Sequence, residues 1–397
     1  MSKKVYVAYA KRTAIGKLGG TLKSVEPDDL LMPLFDDYKK QNLIPDDALT
    51  EVIIGQAKQT QDHSNIARKA LLKADFPESL PGYTVHRACG SGMQSIHNAF
   101  MSIKAGYGDA FLVGGVESMS TAPYYVNNAR FGFLSGSAEF RDPNRSSQPG
   151  SQPIEKYGHL TMGETAENLR EMYNISREEQ DLFALNSQQK AKIAIETGRF
   201  KDEIVPVLVP QRKKDPIVFD TDEHPRETSL EKLAKLPAVF REGGTVTAGN
   251  SSGLNDGASL LLLVSEDLLK EYNLEPLAEV VSIGVSGVDP KIMGIGPVEA
   301  SRRALDLAGL TIDDVDLVEL NEAFAAQSIA VNRELKVPEE KLNVNGGAIA
   351  LGHPIGNSGS RICVTLIHEM LKRKSEVGLA TLCIAGGLGI STVFKSV

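Results

Sequence analysis

Cys89 is the residue whose neighbours best prepare it for chemistry. It follows a strand-like stretch at 83–85 and is flanked by Ala88 and by the glycines Gly90 and Gly92. Apolar residues then recur at helical spacing, which predicts a helix that starts just past the cysteine. A thiol at the positive end of a helix dipole is expected to have a lowered pKa and to act as a nucleophile, with backbone N–H groups as an oxyanion hole. The alternative is a small buried core residue.

Three further motifs lie in the last third of the chain. His353 stands in the glycine-rich stretch 345–356, on a tight loop before a predicted helix. No Lys-Ser or Lys-Thr pair follows, so the stretch is not a phosphate-binding P-loop. Cys383 ends a buried strand and precedes glycines, in a setting like that of Cys89. Asn321 follows another predicted strand, where it either lines an active-site edge or caps the next helix.

The composition is that of an ordinary globular protein, long enough at 397 residues for two or three domains. A net charge of −8 argues against nucleic acid or an anionic membrane as a partner. Cys89, Cys363 and Cys383 are the only cysteines, and no CxxC or HxxxH spacing occurs, so we expect a reducing compartment and no metal site. No stretch approaches the roughly 20 apolar residues of a membrane span, and the first strand starts too early for a signal peptide. We therefore expect a cytoplasmic protein.

Alternating strands and helices predict an α/β fold before residue 120 and again after residue 250. The first part has predicted strands at 5–8, 51–55, 84–87 and 110–116 and helices at 28–39, 66–74 and 91–105. The last part has strands at 260–264, 278–285, 315–320, 379–384 and 389–394 and helices at 266–271, 297–308 and 359–372. The intervening region is punctuated by Pro and Gly over 120–162. It then predicts paired helices over 163–201, with a capping box at Ser176 and Glu179, and a strand at 204–209.

The two α/β halves repeat one another. The stretches 109–119 and 378–388 are both apolar strands that end in Gly-Gly, and the unit around Cys89 has a counterpart at 343–361. We expect two similar domains, with chemistry where their equivalent loops meet. The predicted division is an N-terminal half of 1–119 plus 250–272, a loop domain of 120–249 and a C-terminal half of 273–397.

Taken together, these motifs resemble the sequence blocks of the thiolases. The blocks are 88–92 around Cys89, 321–324, 352–354 and 383–389, and the stretches 162–168 and 243–257 fit the same family. They occur in order over nearly the whole length. The resemblance implies a thiolase fold, with duplicated βαβαβαββ halves in five α-β-α-β-α layers and an inserted loop domain. It also implies reversible Claisen condensation and thiolysis of coenzyme A thioesters through an acyl-cysteine intermediate.

The resemblance also implies a role for each catalytic position. Cys89 would be the acylated nucleophile, His353 its base, and Cys383 the acid and base at the substrate α-carbon. Asn321 would position a water that completes, with His353, one oxyanion hole. The backbone N–H groups of Cys89 and Ala385 would form the second hole, although the family commonly has Gly where Ala385 stands.

Coenzyme A contacts are expected in and around the loop domain, at Met162, Arg226, Phe240, Ala248, Ser252, Met293 and Phe324. Coenzyme A thioesters are substrates, so the resemblance implies no cofactor and no metal. The expected activity is that of an acetyl-CoA acetyltransferase. A longer-chain 3-ketoacyl-CoA thiolase of fatty acid degradation stays open, because many short-chain biosynthetic members carry His where Thr161 stands.

Two other classes are less compatible with the sequence. Carrier-protein-dependent ketoacyl synthases lack a cysteine at the Cys383 position. A non-catalytic acyl-CoA- or lipid-binding relative would not need all four catalytic positions intact. The Gly- and Pro-rich stretch 120–160 also predicts a homo-oligomer, a dimer or a tetramer, because it carries aromatic residues that we expect to be exposed: Tyr124, Tyr125, Phe131 and Phe133.

Overall fold

The computed structural model describes residues 3–397, which form strands and helices in the alternation that the sequence predicts. The strands are β1 (Val5–Thr13), β2 (Gly16–Lys17), β3 (Glu51–Gly55), β4 (Gly82–Val85), β5 (Ala110–Ser118), β6 (Ile204–Val205), β7 (Val207–Gln211), β8 (Lys214–Phe219), β9 (Asn255–Ser265), β10 (Ala278–Gly287), β11 (Leu317–Leu320), β12 (Val377–Ile384) and β13 (Leu388–Lys395). The α-helices are α1 (Pro27–Gln41), α2 (Ile66–Lys73), α3 (Ser91–Lys104), α4 (Pro143–Ser146), α5 (Ile154–Tyr157), α6 (Met162–Met172), α7 (Arg177–Glu196), α8 (Leu230–Ala234), α9 (Glu266–Glu271), α10 (Gly296–Ala308), α11 (Ala325–Leu335), α12 (Ala348–Leu351) and α13 (Ile355–Arg373).

The two halves of the chain build sheets with the same strand order. The N-terminal sheet runs β4-β3-β5-β9-β1, with β3 parallel to β4 and β5, and β9 antiparallel to both neighbours. The C-terminal sheet runs β11-β12-β13-β10, with β11 parallel to β12 and the remaining pairs antiparallel. A parallel bridge from Val318 to Leu342 occupies the place that β4 has in the first sheet. The sheets join where β1 pairs with β10, and the matching order confirms the duplication.

Alternating side chains divide the apolar interior into layers. On β9, Leu260 and Leu262 pack with α1 and α2 on the outer face of the first sheet. Leu261 and Leu263 point the other way, into a core that they share with α3 and α13. On the second sheet, Leu379 of β12 packs with α10 and α11 on the opposite outer face. The structure therefore has the predicted α-β-α-β-α layers, with α3 and α13 in the middle.

Glycines allow the two central helices to touch at their N-terminal turns. A Cβ on Gly92 of α3 would lie 2.8 Å from the backbone nitrogen of Ser360, and one on Gly359 of α13 would lie 2.5 Å from that of Met93. Any larger residue would force the helices apart. Because the Cys89 and His353 loops lead directly into these two turns, the close packing brings the loops toward each other.

The region between β5 and β9 differs from the prediction in two places. The expected strand at 204–209 is two strands: β6 pairs with β1, whereas β7 forms a hairpin with β8, a strand that the sequence analysis missed. The capping box at Ser176 and Glu179 is confirmed at the start of α7, and Thr161 and Glu164 form a second one at the start of α6. Among the described residues, no helix is long and apolar enough to cross a bilayer.

Candidate active site

A sharp turn presents Cys89 between β4 and α3. Ala88 has a φ of +44°, a left-handed conformation that is costly for a residue with a side chain. Ser91 stabilises the turn, because its Oγ accepts a 2.8 Å hydrogen bond from the Arg87 N–H and donates a 2.7 Å bond to the Ala88 carbonyl. Gly90 is required beside the cysteine, since a Cβ there would lie 2.4 Å from the Ile384 side chain. The turn holds a half-buried thiol at the N-terminus of α3.

The predicted lowering of the Cys89 pKa is wrong for the resting protein. Burial raises the pKa of the thiol, and this effect outweighs hydrogen bonds from the backbone N–H groups of Ala385 and of Cys89 itself and the positive charge of Lys58. Desolvation of the charged form is the larger effect because the cysteine lies beneath the loops of both halves. The resting thiol is therefore neutral, and a base must take its proton before it can act as a nucleophile.

His353 has the properties of such a base. It is 7% exposed, and burial together with the charge of Arg361 lowers its pKa to about 4, so the imidazole is neutral near pH 7. Its backbone N–H donates to Asn255 Oδ1 at 2.9 Å, and its Nδ1 lies 2.6 Å from Ser358 Oγ. The left-handed Gly352, at a φ of +103°, sets the direction in which the loop enters α13.

Cys383 ends β12 in the position that mirrors the end of β5 in the first half. Burial raises the pKa of its thiol, and negative charge on Cys89 raises it further, so the two sulfurs lie close enough to interact electrostatically. Ala385 follows two residues later. It is not among the residues with positive φ, and its backbone N–H lies close enough to the Cys89 sulfur to lower the pKa of that thiol. Alanine in place of the family's common glycine therefore keeps the N–H donor on Cys89.

Asn321 is fully buried at the end of β11, beside the end of β12. It does not cap a helix, because α11 begins at Ala325 and its N-cap is Phe324. Neither its Oδ1 nor its Nδ2 has a hydrogen-bond partner among residues 3–397. Buried amides are almost always paired, so this side chain is suited to a water or substrate group.

Four of the seven predicted coenzyme A contacts gather around Cys383. Met162, Phe240, Met293 and Phe324 form one apolar cluster with Cys383, and the rings of Phe240 and Phe324 meet edge to face at 5.9 Å. Ser252 lies beside this cluster, since its N–H donates to the Ala323 carbonyl at 3.0 Å. The cluster provides an apolar wall next to the second thiol.

The other two predicted contacts, Arg226 and Ala248, lie apart from that cluster. Both are exposed, and an Arg226 Nη2 donor binds the Ala248 carbonyl oxygen at 2.7 Å. They contact each other at the surface of the inserted region. Within the part of the chain that is described, no three His, Cys, Asp or Glu side chains are grouped as a metal ion would require.

Three charged side chains organise the site. Sequence reasoning missed two of them, Lys58 and Glu117, whereas Glu322 lies in the block 321–324 that it singled out. Glu117 accepts hydrogen bonds from the backbone N–H groups of Ala57, Lys58 and Gly356, and so joins the loops after β3 and β5 to the start of α13. Glu322 accepts from Ser187, Asn343 and the Ile349 N–H, and so joins the Asn321 loop to α7 and α12. Lys58 is buried beside Glu117. A carboxylate inside the apolar run 110–118 is the signal that could have revealed Glu117.

Comparison with known proteins gives matches over the full length. The chain matches the description "Thiolase, N-terminal domain" over residues 5–267 and "Thiolase, C-terminal domain" over 274–396. It is 47% identical to the acetyl-CoA acetyltransferase of Syntrophomonas wolfei subsp. wolfei, with 100% of both chains covered. The crystal structure of Bacillus anthracis acetyl-CoA acetyltransferase superposes with a TM-score of 0.96 at 46% identity, covering 100% of this chain and 99% of that one. Human mitochondrial 3-ketoacyl-CoA thiolase in complex with CoA gives 0.93 at 44% identity, covering 100% and 98%.

Proposed function

Because the chain belongs to the thiolase family and is an acyltransferase that acts on coenzyme A thioesters, we propose that it is an acetyl-CoA acetyltransferase. It condenses two molecules of acetyl-CoA to acetoacetyl-CoA, and in reverse cleaves 3-ketoacyl-CoA with coenzyme A. The observation that carries this proposal is the pair of thiols that the two halves of the chain bring close together. Cys89 follows β4 in the first half and Cys383 ends β12 in the second. Their loops touch, since a Cβ on Gly90 would lie 2.4 Å from the Ile384 side chain, and charge on Cys89 affects the pKa of Cys383.

The first step of the proposed reaction is acylation of Cys89. Neutral His353 takes the thiol proton, and the thiolate attacks the thioester carbonyl carbon. The N–H groups of Cys89 and Ala385 bind the oxyanion, since both lie close enough to the resting sulfur to lower the pKa of the thiol. The bond to the coenzyme A sulfur then breaks, and that sulfur leaves with a proton from His353. This route explains how a thiol with a raised pKa can still become acylated.

The second step needs proton transfer at the α-carbon of the second acetyl-CoA. In condensation Cys383 first gives its thiol proton to the neutral His353, and its thiolate then removes the α-proton. The carbanion attacks the acyl carbon, and the displaced Cys89 thiolate takes the proton back from His353. In thiolysis Cys383 returns the proton, and its raised pKa favours the neutral thiol that this direction requires. His353 and a water held by the unpartnered amide of Asn321 bind the thioester oxygen during this step.

We assign coenzyme A binding to the inserted loop domain, 120–249, and to its neighbours in the proposed halves 1–119 plus 250–272 and 273–397. The apolar cluster of Met162, Phe240, Met293 and Phe324 borders Cys383, as a pantetheine arm leading to the thiols would require. Arg226 is an exposed cation on the same domain that is available to a phosphate group. The two remaining proposed contacts are Ser252, beside the apolar cluster, and Ala248, beside Arg226.

Acyl-chain length separates this proposal from its main alternative, a longer-chain 3-ketoacyl-CoA thiolase of fatty acid degradation. The close superposition on human mitochondrial 3-ketoacyl-CoA thiolase favours that alternative, and Thr161 stands where many short-chain members carry His. The experiment is to measure kcat/KM for thiolysis of 3-ketoacyl-CoA substrates of increasing chain length. We expect the highest value for acetoacetyl-CoA. A maximum at long chains would establish the alternative, and no turnover of any substrate would indicate a binding protein.

No cofactor is proposed, because this chain's own groups supply the nucleophile, the base and the oxyanion donors. Thiolysis by the purified protein should therefore proceed at an unchanged rate in EDTA. The thiol chemistry also requires reduced cysteines, so we assign the protein to the cytoplasm.

We further propose a homo-oligomer, a dimer or a tetramer. The side chains of Tyr124, Tyr125, Phe131 and Phe133 are all exposed, and Phe131 is 95% exposed. Apolar side chains clustered on one surface loop are typical of a contact surface. Light scattering of the purified protein should give a mass of two or four chains, and a monomer at assay concentrations would contradict the proposal.

A further inference from the structure

The carboxyl ends of three adjacent parallel strands bring a lysine, a cysteine and a glutamate together. Lys58 follows the end of β3 by three residues, Cys89 follows the end of β4 by four, and Glu117 is the last residue but one of β5. The strands are in direct register, with Gly55 opposite both Val85 and Gly115. Because parallel strands end at the same edge of a sheet, the three side chains occupy one site.

Lys58 is held in this site by neutral groups alone. Its side chain is buried, at 8% exposure, and Nζ donates to the Pro143 carbonyl at 2.9 Å and to Ser147 Oγ at 2.5 Å. No carboxylate oxygen of residues 3–397 lies within ion-pair distance of it. A buried ammonium without a paired anion is costly, and its charge remains available to a nearby anion. The third N–H of the ammonium is also uncommitted in the described residues.

We propose that the Lys58 ammonium is a positioning residue of the acyl-transfer site and stabilises the thiolate of Cys89. This inference rests on the proposed function, in which Cys89 must become a thiolate. His353 removes the proton, and Lys58 lowers the energy of the anion that remains. The lysine never touches the thioester, so its effect passes entirely through the nucleophile.

The electrostatics of the surrounding groups support this role. Burial lowers the pKa of Lys58, whereas negative charge on Glu117 and, to a lesser extent, on Cys89 raises it. Lys58 in turn lowers the pKa of Cys89. Glu117 opposes the effect on the thiol, but burial raises the pKa of this carboxyl to about 7, so much of its charge is lost near neutral pH. The other titratable groups that interact with the pair are Cys383 from β12 and Asp142 before α4.

Lys58 also ties the inserted region to the catalytic loops. Its two acceptors, Pro143 and Ser147, belong to the segment around α4, which also binds Met119 at the end of β5 through the Asn144 amide at 3.0 Å. A structural role and an electrostatic role are therefore both available to Lys58. Only the electrostatic one depends on its charge, and the experiment must separate them.

The test is the pH dependence of Cys89 alkylation by iodoacetamide, followed by mass spectrometry of the Cys89 peptide. We expect Lys58→Gln to react about tenfold more slowly than wild type at pH 7.5, with its profile shifted to higher pH, since one pKa unit is a tenfold change in thiolate. Lys58→Met should behave in the same way, and it should fold, because an apolar side chain of similar shape replaces an unpaired buried charge. Lys58→Arg should restore the rate to within about threefold.

Ser147→Ala is the control for the structural role, because it removes one anchor of Lys58 but keeps the charge. Its alkylation profile should match wild type. The proposal is overturned if Lys58→Gln and Lys58→Met keep the wild-type profile, or if Ser147→Ala shifts it equally. Alkylation needs no turnover, so this failure is distinct from failure of Cys89 to be acylated, which is read separately by acetyl-CoA labelling.

Discussion

The Nδ1 atom of His353 lies 2.6 Å from the Oγ atom of Ser358, and the same hydroxyl lies 2.9 Å from the Pro354 carbonyl oxygen. A carbonyl can only accept, so the single hydroxyl proton of Ser358 is donated to Pro354. The hydroxyl then accepts from Nδ1–H, which leaves Nε2 as the unprotonated nitrogen of the neutral imidazole. Ser358 thereby fixes His353 in the tautomer that a base acting through Nε2 requires.

Replacement of Ser358 should therefore slow the reaction without abolishing substrate binding. For Ser358→Ala we expect kcat for thiolysis to fall by about 10- to 100-fold, the usual effect of removing a partner that orients a histidine, with little change in KM. Ser358→Thr keeps the hydroxyl and should recover part of the loss. Steady-state kinetics on both variants check this, and a wild-type kcat in Ser358→Ala would show that the hydroxyl does not set the tautomer.

Asn321 should matter for catalysis and not for stability. Its amide has no partner among the described residues, so Asn321→Ala removes no protein hydrogen bond. We expect kcat to fall by about 10²–10³, as for loss of an oxyanion-hole group, with little change in melting temperature. Asn343→Ala is the matched control, since Asn343 is a buried amide bonded to Leu320 and Glu322 and should lower the melting temperature. Equal destabilisation by both variants would show that Asn321 is structural.

The sequence predicted the fold well where local pattern and burial agree. The bounds of β3 and α9 were predicted correctly, because Glu51–Gly55 is a short apolar strand and Glu266–Glu271 follows a capping serine. Helix α13 starts at Ile355, whereas the sequence predicted a start at 359. The first turn is rich in glycine and serine, which give no helical pattern, and it is helical because it packs against α3. Helix α11 was missed because its small and polar residues have weak periodicity, and burial rather than amphipathicity defines it.

Only those site residues that belong to sequence motifs could be predicted. The residues that touch the chemistry lie in recognisable blocks, and the structure brings Cys89, Cys383 and Ala385 together. The sign of the Cys89 pKa shift was wrong, because the dipole of one helix is visible in a sequence whereas burial under two domains is not. Lys58, Glu117 and Ser358 were missed for a related reason, since their roles depend on which strand ends become neighbours.

Acid should destabilise the protein through its buried neutral histidines. Burial lowers the pKa of His97 to about 3, whereas an unfolded histidine titrates near 6.5. Between these values the unfolded chain binds the extra proton, so His97 contributes to a loss of stability as pH falls. We expect the free energy of unfolding of wild type, relative to His97→Gln, to drop by about 1.4 kcal/mol per pH unit between pH 6 and 4.

Wild type must be compared with His97→Gln because buried carboxyls change the free energy of unfolding in the opposite direction as pH falls. Burial raises the pKa of Glu319 to about 8 and that of Glu117 to about 7, so both stabilise the folded chain as pH falls toward 4.5. These contributions cancel when wild type and His97→Gln are compared by urea unfolding at each pH. His159→Gln, a substitution at an exposed histidine, is the control. The prediction would be contradicted if the difference in free energy of unfolding between wild type and His97→Gln stayed constant with pH.

Substitution of Cys383 should separate acylation of the enzyme from condensation. Cys383→Ala removes the group that moves the α-proton but leaves Cys89, His353 and both oxyanion N–H groups in place. We expect it to accept acetyl from acetyl-CoA at a normal rate and to lose condensation by about 10²–10⁴, the usual size of an acid–base contribution. Burst acetylation and acetoacetyl-CoA formation measure the two steps. Condensation at the wild-type rate would mean that another group, such as His353, moves the proton.

Peptide mapping of the acyl-enzyme identifies the cysteine that carries the acyl group. Wild type, Cys383→Ala and Cys89→Ala are each incubated with acetyl-CoA, quenched in acid and digested, and the acetylated peptides are identified by mass spectrometry. We expect one acetyl group per chain, on the Cys89 peptide, in wild type and Cys383→Ala, and none in Cys89→Ala. Acetyl found on Cys363 or Cys383 in place of Cys89 would contradict it.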